Sequence, residues 1–154
     1  MLCQDHNGKV TYGIEASIEC GGFTLNWLKS NLQLFQSYST LEECLLNGEE
    51  EFPTTNDGVY FVPCFSGLLA PFWNSNSKSL LYGLSGVSER RHIIRAVFEA
   101  LAYRVKDCLE LLVNQIDIER IVIDGGLTQS PFLCSFLNQL LGVKHMGIFW
   151  FLKF

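Results

Sequence analysis

Residues 120–131, Arg-Ile-Val-Ile-Asp-Gly-Gly-Leu-Thr-Gln-Ser-Pro, constrain this chain more than any other stretch. Ile121, Val122 and Ile123 form a β-branched run that stops at Asp124-Gly125-Gly126, and an apolar stripe at helical spacing starts at Phe132. The order reads as strand, tight glycine turn, helix. Ser130 is placed as the N-cap and Pro131 as the first helical residue; Phe132, Leu133, Phe136, Leu137, Leu140 and Leu141 share one face, and Gly142 ends the helix. Two successive residues without Cβ tolerate positive φ and leave room for a phosphate or a nucleoside. An Asp-Gly pair also ends many strands that meet no ligand, and the stretch is neither a Walker A loop nor a GxGxxG fingerprint. The turn alone therefore favours a plain reversal over a nucleotide site.

Strand and helix patterns alternate along the rest of the chain. Residues 10–15 alternate as a strand, and Ser17 is positioned to open a helix with Ile18, Leu25, Leu28 and Leu32 on its apolar face. Gly21 and Gly22 fall in its first turns, where glycine costs helix stability. Gly22 and Asn26 are four apart and share a face, so they could offer a flat approach for a ring and an amide to hydrogen-bond it; close packing of two helices would require the same glycine. Residues 41–46 read as a short helix and residues 47–58 as an acidic surface loop. Residues 59–62 read as a buried strand, followed by a loop over 64–73 that Phe72 and Trp73 are expected to pack down. Ser66 in that loop lacks the first glycine of a nucleophile elbow and has no neighbouring histidine. A strand is expected near 80–84, then a long helix capped by Ser88 and running to about Asn114. Within it Glu99 reads as a buried acceptor or an edge residue, and His92 as a surface or capping residue. Strand-helix alternation around a mixed sheet gives the class α/β.

Composition narrows the function classes. At 154 residues the chain is one domain's worth, and with 48% hydrophobic and 18% charged residues it is globular. Its 11 Lys and Arg against 16 Asp and Glu leave a net charge of −5, so nucleic acid is not an expected partner. The 6 cysteines and 3 histidines are scattered without metal-ligand spacing; reduced, mostly buried thiols and a cytoplasmic location are expected. The apolar run over 147–152 is far short of the ~20 residues a membrane helix needs, so no membrane span is expected.

Several motifs in order resemble the FGGY carbohydrate kinases, and within them the glycerol kinase branch. They are Tyr12-Gly-Ile-Glu-Ala-Ser, the segment from Gly22 to Trp27-Leu28, Tyr60-Phe-Val-Pro-Cys-Phe-Ser-Gly-Leu-Leu-Ala-Pro-Phe-Trp, Tyr82-Gly-Leu-Ser, His92-Ile-Ile-Arg-Ala-Val-Phe-Glu-Ala-Leu-Ala-Tyr and Asp124-Gly-Gly. The resemblance divides the chain into a polar segment over 1–9, part of a C-terminal kinase domain over 10–143 and an apolar tail over 144–154 that does not match. It implies an incomplete actin-like ATPase (ribonuclease H-like) domain, with ATP and Mg²⁺ in a cleft between two domains. By position, Gly22 and Asn26 correspond to a nucleotide-contacting glycine and glutamine of the family. Gly126, with Gly125 beside it, falls on the glycine that lies against the nucleotide, and Ser130 takes the place of an asparagine near the base. Asn26 and Ser130 both shorten a polar reach, which implies looser base recognition.

The resemblance also implies what this chain lacks. The family's glycerol-binding residues, its catalytic aspartate and its Asp-Gly-Thr phosphate segment have no match, so no catalytic residue is expected here. After Gly142 the family's next strand and small-residue helix are expected to be absent, replaced by a tail of the kind an alternative transcript would produce. The implied function is a piece of an ATP-dependent glycerol kinase, inactive by itself. Two other readings stand beside it: a non-catalytic nucleotide-binding partner associating with a full-length kinase, and a piece of a sister kinase for a pentose or gluconate.

Overall fold

A computed structural model of the chain describes residues 2–6, 9–46, 55–113, 115–116, 118, 121–142 and 146–148. The expected loop over 47–58 lies outside these residues as far as position 54, as does the tail beyond 148. Strand β1 (Leu2–His6) and β2 (Lys9–Gly13) form an antiparallel pair in which Leu2 faces Gly13. The segment read as a polar extension is thus one arm of a hairpin. Helices α1 (Gly21–Ser30) and α2 (Tyr38–Leu46) follow, then the antiparallel pair β3 (Tyr60–Val62) and β4 (Leu80–Tyr82). The long helix α3 (Arg90–Val113) precedes β5 (Ile121–Ile123), a 3₁₀ turn (Gly126–Gln129), α4 (Pro131–Leu141) and β6 (Met146–Ile148).

The described strands pair two by two, and no single mixed sheet forms among them. Ladders this short are marginal alone, so packing on helices has to hold them. A strand also forms where none was expected: β6 pairs in parallel with β5, Ile121 opposite Met146, so α4 is the crossover helix of a βαβ unit. A three-residue Met-Gly-Ile strand has too little alternation to be read from sequence.

Helix α3 is the axis of the core. Ile94, Val97, Phe98 and Ala102 are fully buried, and Ala96, Ala100 and Leu101 nearly so, so this part of the helix is covered on all sides. Its alanines let neighbours approach closely while Phe98 reaches Phe132 of α4, with ring centroids 6.0 Å apart. Leu25 and Leu28 of α1, Leu41 and Leu45 of α2, and Leu133 and Leu137 of α4 complete the cluster.

Four local expectations change. Ser17 does not open α1; Cys20 does, in a left-handed conformation at φ 66°, which makes Gly21 the first helical residue. Ser88 does not cap α3: its hydroxyl accepts from Ser85 N at 2.8 Å, while the Nδ1 of His92 reaches back to Glu89 N at 3.0 Å. This is the reciprocal half of a capping box, with imidazole in place of a carboxylate. The 64–73 loop is not packed down by Phe72 and Trp73, both exposed; Phe65 does that, 5.0 Å from Phe23 and 5.1 Å from Trp27 of α1. Cys64 is buried, whereas Cys20, Cys108 and Cys134 are half-buried; these four are free thiols.

Candidate functional site

The site begins with the 124–130 turn. Asp124 Oδ1 accepts from Gly125 N at 2.7 Å, and Gly125 adopts φ 108° and ψ 167°, a backbone region essentially reserved for glycine. The carbonyl of Gly125 accepts from both Thr128 N (3.0 Å) and Thr128 Oγ1 (2.8 Å), so a buried threonine locks the turn from beneath. Thr128 carried no distinguishing mark in sequence, because a lone threonine after two glycines fits any turn. A Cβ built on Gly125 or on Gly126 would meet nothing within 4 Å. The glycine edge therefore faces open space.

Helix α1 supplies the second edge. A Cβ at Gly21 would sit 2.6 Å from Leu127 Cδ1, so Gly21 is what lets α1 close against the 3₁₀ turn. A Cβ at Gly22 would meet nothing within 4 Å. The two meanings a glycine could have here are divided between neighbours: Gly21 serves packing, and Gly22 leaves an open surface. Gly21 touches Leu127, so the exposed Gly22 and Gly126 adjoin this one contact. The N-terminus of α1 lies there too, with free N–H groups and the positive end of the helix dipole.

Asn26, one turn on, is exposed on the side of Gly22, and its Oδ1 accepts from the Tyr38 hydroxyl at 2.9 Å. Ser130 stands behind the edge: it is 5% exposed, and its hydroxyl accepts from Leu133 N at 3.3 Å as the N-cap of α4. Gly22 and Asn26 thus share an exposed side of α1, and Gly125 and Gly126 lie exposed in the turn that Leu127 ties to that helix, with Ser130 capping α4 behind the turn. Buried support comes from α3, where Arg95 Nε and Glu99 Oε1 pair at 2.6 Å and Glu99 Oε2 accepts from Asn56 Nδ2 at 2.9 Å. The Arg95 guanidinium lies 5.3 Å from the ring centre of Phe132, in the first turn of α4. Burial, and then the Glu99 carboxylate, push the Tyr103 phenol above its ordinary value.

No three His, Cys, Asp or Glu side chains gather to hold a metal among the described residues. No helix among the described residues is long and apolar enough to cross a membrane.

A model of the FGGY family of carbohydrate kinases, C-terminal domain, matches residues 3–146. The chain belongs to the FGGY family of carbohydrate kinases. The glycerol kinase of Corynebacterium kroppenstedtii is 36% identical over 143 residues, which are 92% of this chain and 27% of that protein. Plasmodium falciparum glycerol kinase, solved with ADP, superposes with a TM-score of 0.72 at 29% identity, over 83% of this chain and 24% of that one. A xylulose kinase from Brucella ovis superposes with a TM-score of 0.71 at 21% identity, over 86% of this chain and 26% of its own, and shares the fold. The chain thus spans about a quarter of the FGGY kinases it matches. Its α/β architecture is that of part of an FGGY C-terminal domain, the actin-like ATPase fold.

Proposed function

We propose that this chain forms one wall of the nucleotide site of an ATP-dependent glycerol kinase. One observation carries the reading: Gly21 of α1 packs on Leu127 of the 3₁₀ turn, and the next glycine on each side of that contact, Gly22 and Gly126, is open to a Cβ. An edge without Cβ lets a phosphate or a ribose approach the backbone, and a helix N-terminus favours its negative charge. Asn26 adds an amide, and Gly125 the backbone conformation that only glycine holds cheaply. The glycerol kinase relatives near 36% identity support glycerol over a sugar as the acceptor.

In the parent reaction the γ-phosphoryl of ATP passes to a polyol hydroxyl, with charge stabilised chiefly by positioning and by Mg²⁺ on the phosphates. The residues here hold and orient the nucleotide; the base that takes the hydroxyl proton has no counterpart among them. A general base contributes typically ~10²–10⁴ in rate, and positioning between two walls ~7–11 kcal/mol. The 154 residues by themselves therefore bind nucleotide weakly and do not phosphorylate glycerol. A second role, association with a longer kinase of the same family, draws support from the exposed aromatic face of the β3–β4 hairpin, where Tyr60 and Tyr82 lie opposite each other.

Equilibrium dialysis of labelled ADP against the chain tests the nucleotide wall: saturable one-to-one retention is expected, and no retention at millimolar ADP contradicts it. A coupled assay with ATP and glycerol is expected to stay at its blank.

A further inference from the structure

Tyr38 is the first residue of α2, and nothing in the sequence ties it to Asn26, yet its hydroxyl meets Asn26 Oδ1 at 2.9 Å. The ring is held from two further directions: Phe35 packs on it with centroids 5.9 Å apart, and the Lys29 ammonium lies 5.5 Å from its centre. Gly22, Asn26 and Lys29 stand at i, i+4 and i+7, one stripe along α1. The phenol is therefore a fixed donor beside an otherwise exposed, rotatable carboxamide. In this structure the phenol donates and the carbonyl end of the amide accepts, so the carbonyl faces Tyr38. The other end, Nδ2 with two hydrogens, has no partner among the described residues.

Resting on the nucleotide-wall reading above, we infer that Tyr38 is a positioning residue: it holds Asn26 so that its N–H donors point to a ligand lying on the Gly22 edge. Asn26 then recognises an acceptor atom of the nucleotide, a phosphate oxygen or a ring nitrogen. A fixed amide also loses less rotamer freedom on binding, which offsets the shorter reach of asparagine. Lys29, on the same stripe, steadies Tyr38 through its ring.

Isothermal titration of ADP with Mg²⁺ into the full chain tests this with three variants. Tyr38→Phe is expected to weaken the dissociation constant about threefold to tenfold, the loss of one net hydrogen bond. In an Asn26→Ala background the same change is expected to have no further effect, because Tyr38 acts through Asn26. Asn26→Asp keeps the acceptor for Tyr38 but turns a carboxylate oxygen to the ligand, and is expected to bind more weakly than Asn26→Ala. Wild-type affinity in Tyr38→Phe, an equal effect of that change with and without Asn26, or wild-type affinity in Asn26→Asp would each overturn the inference. The Asn26→Asp arm decides the matter if Tyr38→Phe does not fold. Absence of binding by the wild type would instead remove the nucleotide-wall reading, and this inference with it.

Discussion

Gly21 and Gly22 are neighbours with opposite tasks, and substitution separates them. Alanine at Gly22 meets nothing and adds helix propensity, so Gly22→Ala is expected to raise stability by about 0.5 kcal/mol in urea denaturation. The same variant puts a methyl on the ligand face and is expected to bind ADP less tightly. Gly21→Ala instead drives its methyl into the end of the Leu127 side chain, which has to shift, so the helix gain is offset in part. Burial raises the pKa of the Cys64 and Cys108 thiols above 9.0 and, with Glu99 second, that of Tyr103 above 10.0. Above pH 9 the unfolded chain releases protons that the folded chain keeps. The stability these groups contribute is thus full below pH 9 and lost as pH rises through their folded values. Urea midpoints measured from pH 7 to about pH 10.5 are expected to fall only at the alkaline end, less so in Cys64→Ala.

At the scale of elements, α3 does more than fill the core. Its Arg95–Glu99 pair holds Asn56 ahead of β3 on one side and touches the first turn of α4 on the other. Glu99→Ala leaves a buried guanidinium short of its carboxylate and is expected to cost about 3 kcal/mol, against about 1 for Asn56→Ala; thermal or urea denaturation measures both. Helix α3 was legible in sequence through its sustained apolar stripe, and α4 because its stripe, a proline at the first position and a glycine at the end all agree. Ser130 as N-cap and Gly142 in the left-handed C-cap at φ 60° match their expected places. What was not legible depends on distant partners. β6 exists through β5, and which aromatic of the 64–73 loop turns inward depends on where α1 lies. The loop tip is set from outside as well: the Arg104 guanidinium donates to Ala70 O at 2.6 Å and lies 5.4 Å from the Phe72 ring centre. Of the candidate site, the sequence offers the glycines and Asn26 as candidates, whereas the Gly21 contact with Leu127, the Thr128 lock and the Tyr38–Asn26 bond belong to tertiary structure.

For the whole molecule, large apolar side chains lie exposed. Trp73 is 73% exposed, Tyr82 68% and Tyr60 52%, and Tyr60 and Tyr82 face each other across the β3–β4 pair. Concentration-dependent association in sedimentation or light scattering is expected, and a strictly monomeric chain would count against it. The central claim is that Gly22 and Gly126 form one open wall for a nucleotide. Its most direct test is calorimetric titration of ADP with Mg²⁺ into the wild type, Gly126→Val and Gly86→Val, the last an equally open glycine outside the candidate face. The account predicts one-to-one binding by the wild type and Gly86→Val and none by a folded Gly126→Val. Equal binding by all three, or none by the wild type, would contradict it.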